Sequence, residues 1–415
     1  MKNITAEILT IGDEILYGQI LDTNAQWMSA QLDLLGIRVV RKTTVGDNEP
    51  DILHAFTEAE SRADLVLITG GLGPTNDDLT MPTLAKYFDC KVIENASVLA
   101  HVKDFFEKRG REFTEMNKRQ ALVPEIAEVI HNSLGTAPCT WYERNGKIFV
   151  SMPGVPHEMK NVMKEFVIPK VRDFFQTPVI YHKVIKTVGI GESFLADKIK
   201  DWENALPPHI RLAYLPSIGH VKLRLTAFGE NRSQLEKDVQ QLIEAFIPLA
   251  GKYIYGYDET SLEEAIGLLL IDQKKTIALA ESCSGGFIQH KITQIPGSSA
   301  YFQGGIVPYH NQFKVDVLGV KASTLEKHGA VSEECVEEMA ERIREKFNSD
   351  IGVASSGIAG PGGGSEEKPV GTVWIAVADG KQTITKRLQL TQNRILNIEL
   401  TEIAVLNLVR KSLNQ

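Results

Sequence analysis

The chain has 415 residues, too many for one ordinary hydrophobic core, so two or three domains are expected. Apolar residues make up 43% and charged residues 24%, an ordinary globular balance, and no stretch approaches the ~18 uninterrupted apolar residues of a transmembrane helix. A formal net charge of −8 leaves no phosphate-neutralising excess, which argues against nonspecific nucleic-acid binding.

The N-terminal residues Met1–Leu9 run straight into a strand-like pattern with Glu7 inside it, unlike a secretory leader. Cys90, Cys139, Cys283 and Cys335 are scattered, with neither zinc-ligand spacing nor a disulfide framework. A cytoplasmic setting is the expectation.

Residues 1–170 alternate apolar strand-like runs with amphipathic helical ones. The runs Glu7–Gly12, Ala63–Gly71 and Lys147–Gly154 read as strands, and Asn24–Leu35 as a helix. This alternation predicts a parallel sheet covered by helices on both faces, with ligands bound at the carboxyl ends of its strands. The polar residues gather at those ends. Gly12, Asp13 and Glu14 follow the first run, Gly70, Gly71, Gly73, Asp77 and Asp78 the second, and Pro153 and Gly154 the third. Glycines let backbone N–H groups approach a phosphate, and carboxylates beside them suit a bridging divalent cation. Asp77 and Asp78 also read as helix N-terminal acids.

Residues 171–250 change texture, with alternating runs at His182–Gly189 and His220–Phe228 and helical stretches at Phe194–Trp202 and Leu235–Leu249. This is a small antiparallel α+β unit with no catalytic pattern, suited to a spacer or dimerisation role.

The last region, 258–415, opens with a helix capped by Thr260 or Ser261 and running to Leu270. Strands are predicted near 276–280, 351–355, 372–378 and 383–390. The apolar run Thr276–Leu279 leads directly into Ala280-Glu281-Ser282-Cys283-Ser284-Gly285-Gly286. A serine on a strand-to-helix turn is held rigidly beside N–H groups that can stabilise an anion. Tyr309, Lys314 and the Gly357–Ser365 loop lie downstream. Together a hydroxyl, a phenol, a lysine and a glycine-rich loop suit an amide hydrolase that grips a phosphate. Taken singly, the same residues read as a helix cap, a core tyrosine, a solvated lysine and turns.

On the motifs Thr10–Leu16, Gly70–Asp78, Met152–Met159, Glu281–Gly286, Tyr309, Lys314 and Gly357–Thr372, the whole chain resembles the CinA family of competence- or damage-inducible proteins. The resemblance implies a multidomain α/β protein: a molybdopterin-binding-like domain at 1–170, a KH-like connecting domain at 171–250 and a PncC-type nicotinamide mononucleotide deamidase domain at 258–415. It implies deamidation of nicotinamide mononucleotide to nicotinate mononucleotide and ammonia by the last domain, without a metal. It implies divalent-metal-dependent ADP-ribose pyrophosphatase activity in the first. The partners implied are pyridine and adenine nucleotides and a second copy of the chain; no membrane is involved.

For the deamidase, Ser282 is expected as nucleophile, Lys314 as base and Tyr309 as proton relay or orienter of Lys314. N–H groups near Ser284 and Gly285 are expected to hold the oxyanion. Substrate is expected to lie against Ser284, Gly285, Gly286, Gly360, Gly362, Gly363, Ser365, Thr372 and Arg394. Spacing leaves Cys283 open as the nucleophile; the resemblance favours Ser282. For the pyrophosphatase, Gly12, Asp13, Glu14, Gly70, Gly71, Gly73, Asp77, Pro153 and Gly154 are expected around the substrate, and Asp78 and Asp13 around a magnesium-like ion. The chain departs from the deamidase pattern at Ser284, where threonine is usual, at Pro308-Tyr309-His310-Asn311, and at Asn397, where a second arginine often follows the one matched by Arg394. Two other readings stand beside the enzyme: a molybdopterin- or nucleotide-binding module without turnover, and a competence-related interaction protein.

Overall fold

The structure, a computed structural model, describes residues 4–177 and 179–414. Met1–Asn3, at the head of the first strand-like run, and Gln415 lie outside the described residues. The chain divides into two compact units, Met1–Tyr181 with Phe228–Glu236, and His182–Ala227 with Lys237–Gln415.

The core of the first unit is a six-stranded sheet. In chain order its strands are β1 (Thr5–Ile11), β2 (Arg38–Val45), β3 (Leu65–Thr69), β4 (Glu128–Ile130), β5 (Cys139–Arg144) and β6 (Lys147–Met152), arranged in space as β2-β1-β3-β6-β5-β4. The first four positions in that order pair parallel, and β5 and β4 close the edge antiparallel. All of β3 is buried, because successive side chains feed opposite cores. Leu65 and Leu67 pack beside Met28 and Leu32 of α1 (Thr23–Leu34), whereas Val66 and Ile68 pack beside Ile52 and Phe56 of α2 (Glu49–Arg62). Glu7 inside β1 is fully buried yet satisfied: both its oxygens accept from Arg62, and Thr43 donates to it at 2.7 Å. Two further helices, α3 (Thr80–Tyr87) and α4 (Pro156–Val162), follow the loops at the ends of β3 and β6.

The second unit begins with a four-stranded sheet. It is formed by β7 (Val179–Val188), β8 (Ile210–Ser217), β9 (His220–Gly229) and β10 (Ile254–Tyr257), in the order β8-β9-β7-β10. Leu195, Ile199 and Trp202 of α5 (Glu192–Asn204) are buried, and the Trp202 indole donates to the Leu242 carbonyl.

A second core follows, built on a five-stranded sheet in the order β12-β11-β13-β14-β15. Its strands are β11 (Ile277–Glu281), β12 (Phe302–Ile306), β13 (Ile351–Gly357), β14 (Thr372–Ala378) and β15 (Thr383–Gln389). β11 pairs parallel with β12 and β13, and β14 and β15 add antiparallel. Side-chain size alternates across this sheet. Ile277, Leu279, Ile351, Val353 and Ile375 face α6 (Leu262–Asp272) and α9 (Arg394–Leu413). Ala278, Ala280, Ala354 and Ala376 face α8 (Glu333–Lys346), which therefore lies close; a Cβ at Gly352 would collide with the Ala340 carbonyl. A further helix, α7 (Phe287–Thr293), follows β11. Ser261 caps α6 in a capping box with Glu264.

Candidate active sites

In the second unit the site begins where β11 ends. The Ser282 N–H donates to the Ser355 carbonyl at 2.9 Å, carrying the parallel ladder one residue beyond the strand. The chain then turns sharply through Gly285 (φ 64°) and Gly286 (φ 95°), left-handed conformations that glycine adopts without strain. Glu281, 1% exposed, holds the turn from beneath. Its carboxylate accepts from the N–H groups of Gly286 (3.1 Å), Ile288 (3.1 Å) and Gln289 (2.8 Å). These are orphan donors of the first turn of α7, and a carboxylate is the strongest acceptor for them. The Ser284 hydroxyl sits 2.7 Å from that of Ser355.

Lys314 reaches this turn from a neighbouring helical segment. Its side chain is 1% exposed, and Nζ lies 3.0 Å from Ser282 Oγ, 2.9 Å from the Pro308 carbonyl and 3.4 Å from the Tyr309 carbonyl. Burial drives its pKa below the ordinary lysine value, and no carboxylate offsets that effect. A neutral amine there can donate to both carbonyls and turn its lone pair on the Ser282 hydroxyl. Cys283 is buried, and burial pushes its thiol up to about 12, so it stays protonated near neutrality.

Other residues named from the sequence take different places. The Tyr309 phenol receives a hydrogen bond from Arg394 Nη2 at 3.0 Å, while Arg394 Nη1 donates to the Gly360 carbonyl at 2.8 Å. It is the Tyr309 carbonyl, not its phenol, that touches Lys314. The Gly285 N–H turns back on the Ser282 carbonyl at 3.2 Å and is spent inside the turn. The Thr372 hydroxyl is fully buried and donates to Gln389, and the Ser365 hydroxyl accepts from the Lys368 N–H within its own loop. Gly362 stands open, with nothing near the position a Cβ would take. Asn397 is fully buried. It donates to the carbonyls of Ala359 and Thr391 and accepts from the N–H and hydroxyl of Thr391. It thus ties the glycine-rich loop to the start of α9, a short-reach task that an arginine would not perform.

In the first unit, the ends of β1, β3 and β6 surround a cleft of about 510 Å³. Gly12, Gly70, Gly71, Gly73, Pro153 and Gly154 line it together. Gly70 has no room for a side chain because a Cβ would run into the Ile11 carbonyl. Thr69 donates to the Pro153 carbonyl at 2.8 Å and Asn24 to the Gly154 carbonyl at 2.7 Å, so two of the three loops are pinned to each other. The carboxylates in the lining are Glu14, Asp47, Asp77, Asp78 and Glu158.

Asp78 closes its own loop. Oδ1 accepts from the Gly73 N–H at 2.7 Å, and Oδ2 accepts from the N–H and hydroxyl of Thr75. Asp13 turns its carboxylate towards the Tyr17 hydroxyl and Gly46 instead of the cleft. Asp47, which the sequence did not single out, stands in the lining; burial and the charges of Asp13, Glu14 and Asp77 hold its carboxyl above the ordinary range. The expected pair of Asp78 and Asp13 therefore does not converge, and among the described residues no three His, Cys, Asp or Glu side chains are grouped to hold a metal ion. The crowding of negative charge around Asp47 nonetheless suits a cation that arrives with an anionic ligand. Among the described residues, no helix is long and apolar enough to cross a membrane.

Three family models match successive parts of the chain. These are the probable molybdopterin binding domain over residues 7–173, the damage-inducible protein CinA KH domain over 182–256 and the CinA C-terminal domain over 259–413. A CinA-like protein of Cytophaga hutchinsonii is 52% identical over 413 residues, covering 100% of this chain and 99% of the relative. A CinA-like protein of Flavobacterium psychrophilum is 43% identical over 394 residues, covering 94% of each. The crystal structure of CinA from Thermoplasma acidophilum is 34% identical, covers 41% of this chain and 98% of that one, and superposes with a TM-score of 0.38. With near-full-length relatives of this identity, and with its three parts matched in the same order, the chain belongs to the CinA family.

Proposed function

We propose that the chain is a hydrolase of NAD breakdown products, whose second unit deamidates nicotinamide mononucleotide to nicotinate mononucleotide and ammonia. The observation that carries this reading is the 3.0 Å approach of Lys314 Nζ to Ser282 Oγ in a buried setting that lowers the pKa of the amine. Ser282 Oγ attacks the carboxamide carbon while its proton passes to Lys314. With the Gly285 N–H spent in the turn and the Gly286 N–H on Glu281, the Ser284 N–H is the donor for the oxyanion. Lys314 then gives its proton to the amide nitrogen, the C–N bond breaks and ammonia leaves an ester on Ser282. Water, deprotonated by Lys314, cleaves the ester and restores the hydroxyl. Arg394 and the open Gly362 region supply a guanidinium and backbone N–H groups for the substrate's phosphate. The test is ammonia release from nicotinamide mononucleotide by the purified chain.

The first unit, in the same proposal, hydrolyses the pyrophosphate of ADP-ribose. The glycine-lined strand ends accommodate the phosphates, and a divalent cation would be carried in by them, with Glu14 and Asp77 of the lining as the carboxylates facing it, since no ligand cluster stands assembled among the described residues. Such an ion supplies charge neutralisation for the separating phosphates. Asp47, with its raised pKa, is the group best suited to take a proton from water. The non-catalytic binding reading is separated by the same ammonia assay, and the interaction-protein reading by salt-dependent DNA binding.

A further inference from the structure

Within the second unit lies a cavity of about 310 Å³ that the deamidase chemistry does not use. This volume falls at the low end of the ~300–1,000 Å³ typical of small-molecule sites. From the four-stranded sheet its lining takes Lys186, His220 and Lys222, and from α6 and α9 it takes Glu263, Glu399 and Glu402. Tyr255 and Phe287 add aromatic surface.

Two groups in this cavity are left incomplete. Glu402 is 5% exposed and has neither a hydrogen bond nor an ion pair among the described residues. Its nearest charges are chiefly like-signed, led by Glu263, while Lys291 opposes them and is itself engaged with Glu263 at 3.8 Å. The His220 Nδ1 is buried without a hydrogen-bond partner, its ring set 5.3 Å from that of Tyr255. Burial and the like charge of Glu263 push the Glu402 carboxyl up to about 8, so a donor or cation brought in by a ligand would relieve it. On the sheet, Lys186 spends one donor on the Thr260 carbonyl and has others to offer.

We propose that this cavity is a second ligand site, taking a small zwitterion that places its anionic group at Lys186 and Lys222 and its cationic or hydrogen-bond-donating group at Glu402. The class we commit to is a pyridine mononucleotide, whose phosphate, flat ring and cationic ring nitrogen match the lysines, the aromatic surface and the carboxyl. That choice of ligand rests on the proposed deamidase reading; the existence of the site does not. The site touches the catalytic turn through two elements: Phe287 and Lys291 lie on α7, which starts at that turn, and Glu399 and Glu402 lie on α9, whose first residue is Arg394.

The test titrates nicotinamide mononucleotide calorimetrically into the full chain carrying Ser282→Ala, which prevents turnover. The expected stoichiometry falls by one ligand per chain when either Glu402→Gln or Lys222→Gln is added. Lys222→Gln changes a partly exposed side chain and keeps the test alive if Glu402→Gln does not fold. A stoichiometry unchanged by the folded variants overturns the proposal. Failure of the deamidase reading shows separately, as absence of ammonia release by the unmodified chain.

Discussion

Replacing Lys314 separates a general base from a structural lysine. Lys314→Met keeps the length of the stem but removes the amine. The carbonyls of Pro308 and Tyr309 lose their 2.9 and 3.4 Å donor, a cost of about 1–3 kcal/mol for each group left unsatisfied. Against this stands the relief of removing a desolvated amine, so the net stability change is smaller than the sum of those two costs. Activity behaves differently. Loss of general-base assistance costs about 10²–10⁴-fold, or about 3–5 kcal/mol of transition-state stabilisation. Lys314→Arg should be as inactive, because a guanidinium stays protonated and must enter a space that leaves Lys314 only 1% exposed.

The pH dependence follows from the sign of the shift. The Lys314 pKa is lowered on folding, so between its folded value and the ordinary value near ~10.4 the unfolded chain binds more protons. In that window its contribution to stability rises with pH, and Lys314→Met should flatten the rise. Deamidation by the unmodified chain should climb as the amine loses its proton and reach its plateau below that ordinary value. The assays are ammonia release and denaturant unfolding against pH for all three chains. An arginine variant with activity within about tenfold of the unmodified chain refutes the general-base argument.

Ser282→Ala should abolish ammonia release by several orders of magnitude, while Cys283→Ala keeps it, since a thiol pushed up to about 12 is not the nucleophile; the reverse outcome moves the nucleophile one residue along. Glu281→Gln leaves one acceptor oxygen for three N–H groups and should destabilise the unit by about 2–4 kcal/mol in chemical denaturation, with a fall in deamidation from the loosened turn. Asp78→Asn turns an amide NH₂ towards the donors that close its loop. It should therefore collapse ADP-ribose hydrolysis, as a chelator should, while ammonia release continues under both treatments; chelator-sensitive deamidation would show that the chemistry is divided wrongly between the units.

Two kinds of strand were legible in the sequence: those buried on both faces, because continuous apolar runs such as Ala278–Ala280 and Leu65–Ile68 leave no other low-energy placement, and half-buried ones such as His220–Gly229, whose side chains alternate with period two. The edge strand Arg38–Val45 escaped because Arg38, Arg41 and Lys42 on its exposed positions break the apolar alternation, and Phe302–Ile306 because two glycines interrupt it. Both are strands only because a neighbour offers a ladder of unpaired N–H and carbonyl groups. Ser282 was visible from the run that precedes it and the glycines that follow. What local sequence could not specify was partnership. Lys314 is 32 residues from Ser282, and its state depends on how completely the surrounding packing removes water. Arg394 is 85 residues from the Tyr309 phenol it engages, which withdraws that phenol from the lysine. Asp47 becomes part of the cleft lining, and Asp13 turns away, by the way β1 and β2 lie side by side. Residue type and short-range pattern therefore determined the elements and the reactive groups. Hydrogen-bond pairing and desolvation, which depend on contacts between distant segments, decided which of those groups meet and which are already engaged.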